Sequence, residues 1–129
     1  MWKNINGRLI QQTDESRVKF RTNISKSLLD SLSQIAKEHD TCINYLIESG
    51  LNRVLEEDYI SFDKKTRPKD RVQYKTTYDK QLIKRTKKFA AENGLFINDV
   101  IEYSCRFIEP SKSKPAVFRY RIEQQQGRK

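Results

Sequence analysis

Two stretches of the chain decide the fold: "RVKFRTNISKSLL" at residues 17–29 and "RVQYKTTYDKQLI" at residues 71–83. In each stretch apolar and polar residues first alternate with a period of two, which is typical of a half-buried strand. The pattern then changes to that of an amphipathic helix, and Ser25 and Asp79 stand at the change, where an N-cap residue is expected. The sequence therefore predicts the same strand-to-helix unit twice.

The similarity between the two stretches extends over a longer repeat. Residues 17–54 align with residues 71–108 without a gap, and eleven of the thirty-eight aligned positions are identical. In each copy a turn follows the first helix, at "EHDT" in one copy and at Gly94 in the other, and a second helical stripe follows the turn. Gly50 and Ser104 hold corresponding positions in these second helices, so we expect the two helices to cross closely there.

A strand needs a partner for its backbone hydrogen-bonding groups, and the duplication supplies one within the same chain. We therefore predict a mostly α fold with a small two-stranded antiparallel β-ribbon, whose apolar face is covered by four helices. The expected organisation is an N-terminal arm at 1–16, a first repeat at 17–57, a surface linker at 58–70, a second repeat at 71–109 and a basic tail at 110–129.

The charge of the chain points to a polyanionic partner. The formal net charge is +9 over 129 residues, and the whole excess lies in residues 58–129. Such a basic balance favours nucleic acid over an anionic membrane as the partner. Only 36% of residues are hydrophobic, so we expect a thin core built from intertwined elements.

Several function classes are disfavoured. Cys42 and Cys105 are isolated and His39 is the only histidine, so we expect no metal site, no cofactor and no enzymatic activity. The N-terminal residues lack the apolar segment of a signal peptide, and no apolar run approaches the roughly 20 residues of a membrane span. We expect a cytoplasmic protein without membrane contact.

The order strand, helix, turn, helix, with an alternating basic strand, resembles the ribbon-helix-helix DNA-binding family, which contains the Arc and MetJ repressors. The segments "IAKEHDTCINYLI" and "FAAENGLFINDVI" are similar to the turn and second-helix start of Arc-like members. Members are normally dimers that pair one strand from each chain, and a single-chain tandem arrangement is known among conjugation accessory proteins of the TraY type. The resemblance covers residues 17–57 and 71–109 and implies an intramolecular pseudo-dimer that binds double-stranded DNA.

In this family the ribbon enters the major groove and its outward side chains contact base edges. By position, the expected base-reading residues are Lys19, Arg21, Asn23, Gln73, Lys75 and Thr77. The alternative for such basic strands is that their charges only prevent aggregation of exposed strands.

The family also binds DNA phosphates at the N-terminus of each second helix. The expected phosphate-binding residues are Arg17, Arg71, Thr41, Cys42, Asn44, Phe96 and Asn98. The alternative for the two asparagines is local capping. The second phosphate site is the weaker expectation, because Leu95 and Phe96 stand where the family usually has a hydroxyl cap.

Three functions compete at this stage. The leading one is a nucleoid-associated, prokaryotic transcriptional regulator, a repressor that occupies a non-palindromic promoter element, with several molecules on adjacent DNA repeats. The second is an accessory protein of plasmid conjugation or partition, and the third is an RNA-binding protein or an antitoxin. Two positively charged segments have open alternatives. The tail is expected to form either an extra strand or an arm over DNA. For Lys84, Arg85, Lys87 and Lys88 a solvated surface is favoured over contact with phosphates.

Overall fold

The computed structural model of the chain describes residues 2–5, 8–11 and 16–116, with side chains described from residue 16 onward. This part of the chain is mostly helical and contains two antiparallel two-stranded sheets. The predicted combination of helices with a small antiparallel ribbon is therefore confirmed. The alternating segment of the C-terminal tail, for which a strand and a DNA-binding arm were both expected, lies outside the described residues.

The first sheet was not predicted. Strand β1 (Trp2–Ile5) pairs with strand β2 (Arg8–Gln11) as a hairpin in which Ile5 lies opposite Arg8. The second sheet is the expected ribbon of β3 (Arg17–Ser25) and β4 (Arg71–Asp79).

The ribbon is antiparallel over its full length. Arg17 lies opposite Asp79 at one end, Ser25 lies opposite Arg71 at the other, and Arg21 lies opposite Lys75 at the centre. Because the side chains of a strand alternate between its two faces, one set points to the helices and the other away from them. Ile24 and Tyr78 are fully buried, and Phe20 and Tyr74 are packed against the core, so they define the inner face.

Each strand continues directly into a pair of helices. The helices are α1 (Lys26–Glu38) and α2 (Ile43–Glu57) after β3, and α3 (Lys80–Glu92) and α4 (Ile97–Ser104) after β4. The predicted N-caps are confirmed, because Ser25 Oγ accepts a hydrogen bond from Leu28 N at 3.3 Å and Asp79 Oδ1 accepts one from Leu82 N at 2.9 Å.

The two interhelical turns have the same construction. Asp40 and Gly94 stand at corresponding positions after α1 and α3, with φ of 51° and 64° in the left-handed region. In both turns the next amide reaches back to a carbonyl five residues earlier at 2.9 Å, from Thr41 to Ala36 and from Leu95 to Ala90. This closure satisfies carbonyls at the end of the helix and confirms the stop expected at Gly94.

Helices α2 and α4 form the centre of the molecule and cross at Gly50. A Cβ atom at Gly50 would lie 2.1 Å from the carbonyl oxygen of Ser104, so only glycine allows this approach. The expected close crossing is confirmed. Around it lies a core of buried apolar side chains contributed by both repeats, including Ile24, Leu46, Ile47, Leu51, Tyr78, Val100 and Ile101.

The second copy departs from the first at its C-terminal end. The aligned repeat runs to Ile108, whose counterpart Val54 lies within α2, but α4 ends at Ser104 and a 3₁₀ turn at Cys105–Phe107 follows. Pro110 lies shortly downstream and cannot donate a helical hydrogen bond, so the helix cannot extend as far as α2 does.

The linker at 58–70 is ordered. Asp63 caps a 3₁₀ turn at Lys64–Thr66, and Ile60 and Phe62 pack against the core. At its far end the carbonyl of Asp70 accepts a hydrogen bond from Lys26 N, and its carboxylate accepts one from Ser27 N, each at 3.0 Å. The linker therefore supplies two acceptors to the start of α1.

Candidate nucleic-acid interface

The outer face of the ribbon gathers all six side chains for which base contact is expected. Three pairs lie directly opposite one another across the strands: Lys19 with Thr77, Arg21 with Lys75, and Asn23 with Gln73. Five of these side chains are exposed and Thr77 is half-buried. This face, formed by Lys19, Arg21, Asn23, Gln73, Lys75 and Thr77, is called the ribbon face below.

The ribbon face is held rigidly from behind. The Phe20 ring meets the Tyr78 ring edge-on at a centroid distance of 6.2 Å, and both rings belong to the inner face. Phe20 lies between Lys19 and Arg21 in the strand, so its packing against the core places the side chains of those two residues on the outer face.

The ribbon face is electrostatically unbalanced. Arg21 and Lys75 form its central cross-strand pair, and like charges directly opposite each other destabilise a sheet. None of the six side chains of this face is a carboxylate, and none of the ion pairs in the described part of the chain involves Lys19, Arg21 or Lys75. A polyanion on this face would remove the repulsion.

Arg17 and Arg71, expected to contact phosphates, form internal ion pairs instead. Arg17 is 8% exposed, and its Nη2 lies 3.2 Å from Glu48 Oε2 and 3.0 Å from the carbonyl of Thr77. Arg71 Nη2 lies 2.5 Å from Glu102 Oε1. The expectation for these two arginines is therefore corrected, because buried carboxylates already hold both guanidinium groups.

The two glutamates also join the repeats. Glu48, from the first repeat, accepts a hydrogen bond from Asp79 N at 2.7 Å, and Glu102, from the second, accepts one from Ser25 N at 2.9 Å. Burial raises the pKa of Glu48 above its ordinary value, and the nearby Arg17 guanidinium opposes that shift. Each glutamate thus fixes the strand-to-helix junction of the other repeat.

The two asparagines expected at phosphates bind the ribbon. Asn44 is fully buried, and its Nδ2 donates to the carbonyl of Thr77 at 2.8 Å. Asn98 Nδ2 donates in the same way to the carbonyl of Asn23 at 3.2 Å. The phosphate expectation is therefore corrected for Asn44, whose side chain is buried, whereas for the half-buried Asn98 it stays a prediction. The amides of both residues tie the second helices to the opposite strands, so neither residue acts as the local cap of its helix.

A groove of about 350 Å³ lies where the N-terminus of α2 meets β4. Thr41, Cys42 and Ile43 from the start of the helix line it, together with Lys37, Lys75 and Thr76. Cys42 is the N-cap residue and gives α2 no side-chain cap, whereas the Thr41 hydroxyl donates to the carbonyl of Lys114 at 2.6 Å. The buried Oγ1 of Thr76 has no hydrogen-bond partner among the described residues.

This groove has the chemistry of an anion site. A helix N-terminus carries partial positive charge on its amide groups, and two lysines stand beside it. Of the residues expected there, Cys42 and Thr41 line the groove, although the Thr41 side chain is already bonded to Lys114. Sequence reasoning missed Lys37 and Thr76, because neither lies in the segment from which the phosphate contacts were inferred.

The corresponding N-terminus of α4 is occupied by the protein's own carboxylate. Phe96 N donates to Asp99 Oδ2 at 3.0 Å, so the amide expected at a phosphate is already bonded. Asp99 is fully buried and also binds Arg67 at 2.7 Å and Arg71 at 2.8 Å. Burial acts to raise the pKa of Asp99, but the hydrogen bonds from the two arginines and from Phe96 N outweigh it and lower that pKa.

The exposed ring of Phe96 lies under the Arg67 guanidinium, 4.6 Å from carbon to ring centroid. The ring and the bonded amide together correct the expectation that Phe96 contacts a phosphate.

The sequence did contain a signal for the ion pair of Arg17 with Glu48, since both residues recur unchanged in the second copy.

Other kinds of site were also sought in the described residues. They contain no group of three or more histidine, cysteine or acidic side chains that could hold a metal ion. In the same residues, no helix combines the length and the apolar character needed to cross a bilayer. Comparison with protein-family models, with curated proteins and with solved structures found no match for this chain.

Proposed function

We propose that this chain is a sequence-specific double-stranded DNA-binding regulator that inserts its β3–β4 ribbon into the major groove. The observation that carries the proposal is the ribbon face: six polar or basic side chains, no carboxylate, and a like-charged pair at the centre. A two-stranded ribbon fits the major groove, which is about 12 Å wide.

The side chains of the ribbon face suit base recognition. Arg21, Lys19 and Lys75 match the acceptor atoms of guanine, Asn23 and Gln73 match the donor–acceptor pair of adenine, and Thr77 is adaptable. The three cross-strand pairs all differ in composition, so the two ends of the ribbon would contact different bases. The proposed recognition element is therefore non-palindromic.

In this proposal one chain supplies both halves of the dimer, as a tandem ribbon-helix-helix protein would. Pairs of equivalent contacts support this proposal, because each contact recurs between the corresponding residues of the other repeat. Glu48 binds Arg17 and Asp79 N, and Glu102 binds Arg71 and Ser25 N. Such crossed contacts are what two intertwined copies of one unit would make.

The regulatory step proposed is repression by occupancy of promoter DNA. The test is a footprint on the DNA upstream of the protein's own gene, combined with selection of preferred sites from random duplexes. Wild type is compared with Arg21→Ala and with a charge control, Lys64→Gln/Lys65→Gln, which changes exposed linker lysines away from the ribbon face. Arg21 is exposed and repelled by Lys75, so its removal is expected to leave the fold intact.

The expected result is a discrete footprint for wild type and the control. Arg21→Ala should lose about 1–3 kcal/mol of discrimination at one base position, because one bidentate base contact is removed. Unchanged sequence preference in Arg21→Ala would refute ribbon readout. Diffuse, salt-sensitive binding that weakens only with net charge, by as much per lost charge in Arg21→Ala as in the control, would mean that net charge alone attracts DNA.

A further inference from the structure

The first helices of the two repeats differ sharply in charge. Helix α3 contains five basic residues, Lys80, Lys84, Arg85, Lys87 and Lys88, against the single acid Glu92. Helix α1 contains two basic residues, Lys26 and Lys37, against Asp30 and Glu38, and its net charge is zero. The difference between the repeats is therefore concentrated on one helix.

Three of these lysines lie along one side of α3, next to the ribbon. Lys80, Lys84 and Lys87 have the spacing that places side chains on a common helical face, and all three are exposed. Lys87 Nζ lies 5.1 Å from the centroid of the Phe20 ring, which belongs to the inner face of β3, so this lysine stands beside the β3 edge of the ribbon. This surface, called the lysine flank, therefore continues the positive charge of the ribbon face to one side.

The first repeat has no equivalent of this flank. Lys84 corresponds to Asp30, which pairs with Lys26 at 3.1 Å and cancels its charge. Lys87 corresponds to Ser33, which lines the groove at the N-terminus of α2. The second repeat thus carries lysines at positions where the first has an acid and a neutral side chain.

At the second helices the difference between the repeats is reversed, because there the first repeat has the positively charged site. The N-terminus of α2 has no side-chain cap and opens into the groove that holds Lys37 and Lys75. At the N-terminus of α4 the amide of Phe96 already donates to the buried carboxylate of Asp99, so that amide has no hydrogen left for a phosphate. Each repeat therefore has one positively charged surface beside the ribbon. This surface is the groove at α2 in the first repeat and the lysine flank in the second, and the two differ in chemistry.

We propose that the lysine flank binds DNA phosphates on the side of the second repeat, in place of the α4 N-terminus. This inference rests on the proposed DNA-binding function. It assigns the phosphates beside the β3 edge of the ribbon to Lys84 and Lys87, and those beside the β4 edge to the groove at α2. The protein would then sit on its DNA site in a single orientation.

The test compares Lys84→Gln/Lys87→Gln with wild type and with the charge-matched control Lys64→Gln/Lys65→Gln, on one duplex selected by wild type. Both variants lower the net charge by two, so general attraction to DNA falls equally in both. Affinity is measured between 50 and 200 mM salt, and hydroxyl-radical footprints are recorded on each of the two DNA strands. Thermal unfolding checks that each variant is folded, and Lys84→Arg/Lys87→Arg tests recovery with a conserved charge.

The flank variant is expected to keep the sequence preference of wild type and to lose backbone protection on one side of the ribbon, which means on one of the two DNA strands that flank the groove. Two lost phosphate contacts should lower the salt slope by about two, so wild type loses roughly tenfold more affinity than the variant over that salt range. The arginine variant should restore both properties. A flank variant indistinguishable from the linker control would overturn the inference and leave ribbon readout standing, whereas wild type that selects no duplex would overturn both.

Discussion

Replacing Gly50 with alanine should force apart the two helices at the centre of the molecule. The added Cβ would lie 2.1 Å from the carbonyl oxygen of Ser104 and 2.9 Å from its carbonyl carbon. Ordinary contacts of such atoms begin near 3.4 Å, so α2 and α4 must separate by about 1 Å. Both contacted atoms are backbone, and a rotamer change cannot relieve the contact.

The magnitude follows from two opposing effects. Overpacking a core costs about 1–3 kcal/mol, and the rigid backbone contact places this site at about 3 kcal/mol. Alanine is better than glycine in a helix by about 1 kcal/mol, which offsets part of the loss. The net loss in free energy of unfolding is therefore about 2 kcal/mol. At this chain length each kcal/mol lowers the Tm by about 4 °C.

The assay is urea unfolding followed by circular dichroism, with Asn52→Ala as the matched control. Asn52 is exposed on the same helix, so its replacement gains helix propensity without a new contact, and this variant should be slightly more stable than wild type. A Gly50→Ala protein as stable as Asn52→Ala would refute the close crossing of α2 and α4.

Three further outcomes follow from the buried groups. Arg17→Met leaves the Glu48 carboxylate buried without its cation, which should cost about 3 kcal/mol at pH 7. Because burial already raises the pKa of Glu48, its carboxyl group takes up a proton as the pH falls. Urea unfolding at pH 5 should therefore show a smaller loss in free energy of unfolding than at pH 7, and an equal loss would contradict this. Asp99→Ala removes the carboxylate that binds Arg67, so hydrogen exchange at residues 58–70 should become faster. In wild type the pKa of Asp99 is lowered, so the stabilisation that this carboxylate gives is lost as the pH falls through that pKa. Burial raises the pKa of Cys105 to about 12, so mass spectrometry should find its alkylation at pH 8 far slower in the folded chain than in urea, and equal rates would exclude the buried thiol.

The elements of the fold could be predicted because their signals are local. Ser25 and Asp79 stand at the change of periodicity, and their side chains cap α1 and α3 as expected. The pairing of β3 with β4 is a long-range contact, but the duplication made it predictable, because each strand had one candidate partner in the repeat. The hairpin of β1 and β2 also had a local signal, since the dipeptide Asn6-Gly7 is typical of two-residue hairpin turns, although the segments on either side of it do not alternate.

The partners of the charged residues could not be predicted from local pattern. A basic residue at a strand end is compatible with a phosphate contact and with a buried ion pair, and only the distance to Glu48 decides for Arg17. The recurrence of both residues in the second copy favoured the ion pair, because an internal contact needs both members retained. Asn44 was misassigned for the same reason, since its partner is the backbone carbonyl of Thr77 on the other repeat's strand.

The contacts that join the two repeats are shared by both copies, whereas the outward positions of the ribbon are not. The residues of the internal contacts are identical between the copies: Arg17 with Arg71, Glu48 with Glu102, and Asn44 with Asn98. By contrast, all three outward positions of the ribbon differ, and so do the charges of α1 and α3. A dimer of identical chains cannot vary its two halves independently, whereas a duplicated unit in one chain can. The internal contacts keep the ribbon in one register while its outer face changes, and the proposed non-palindromic site is the consequence of that freedom.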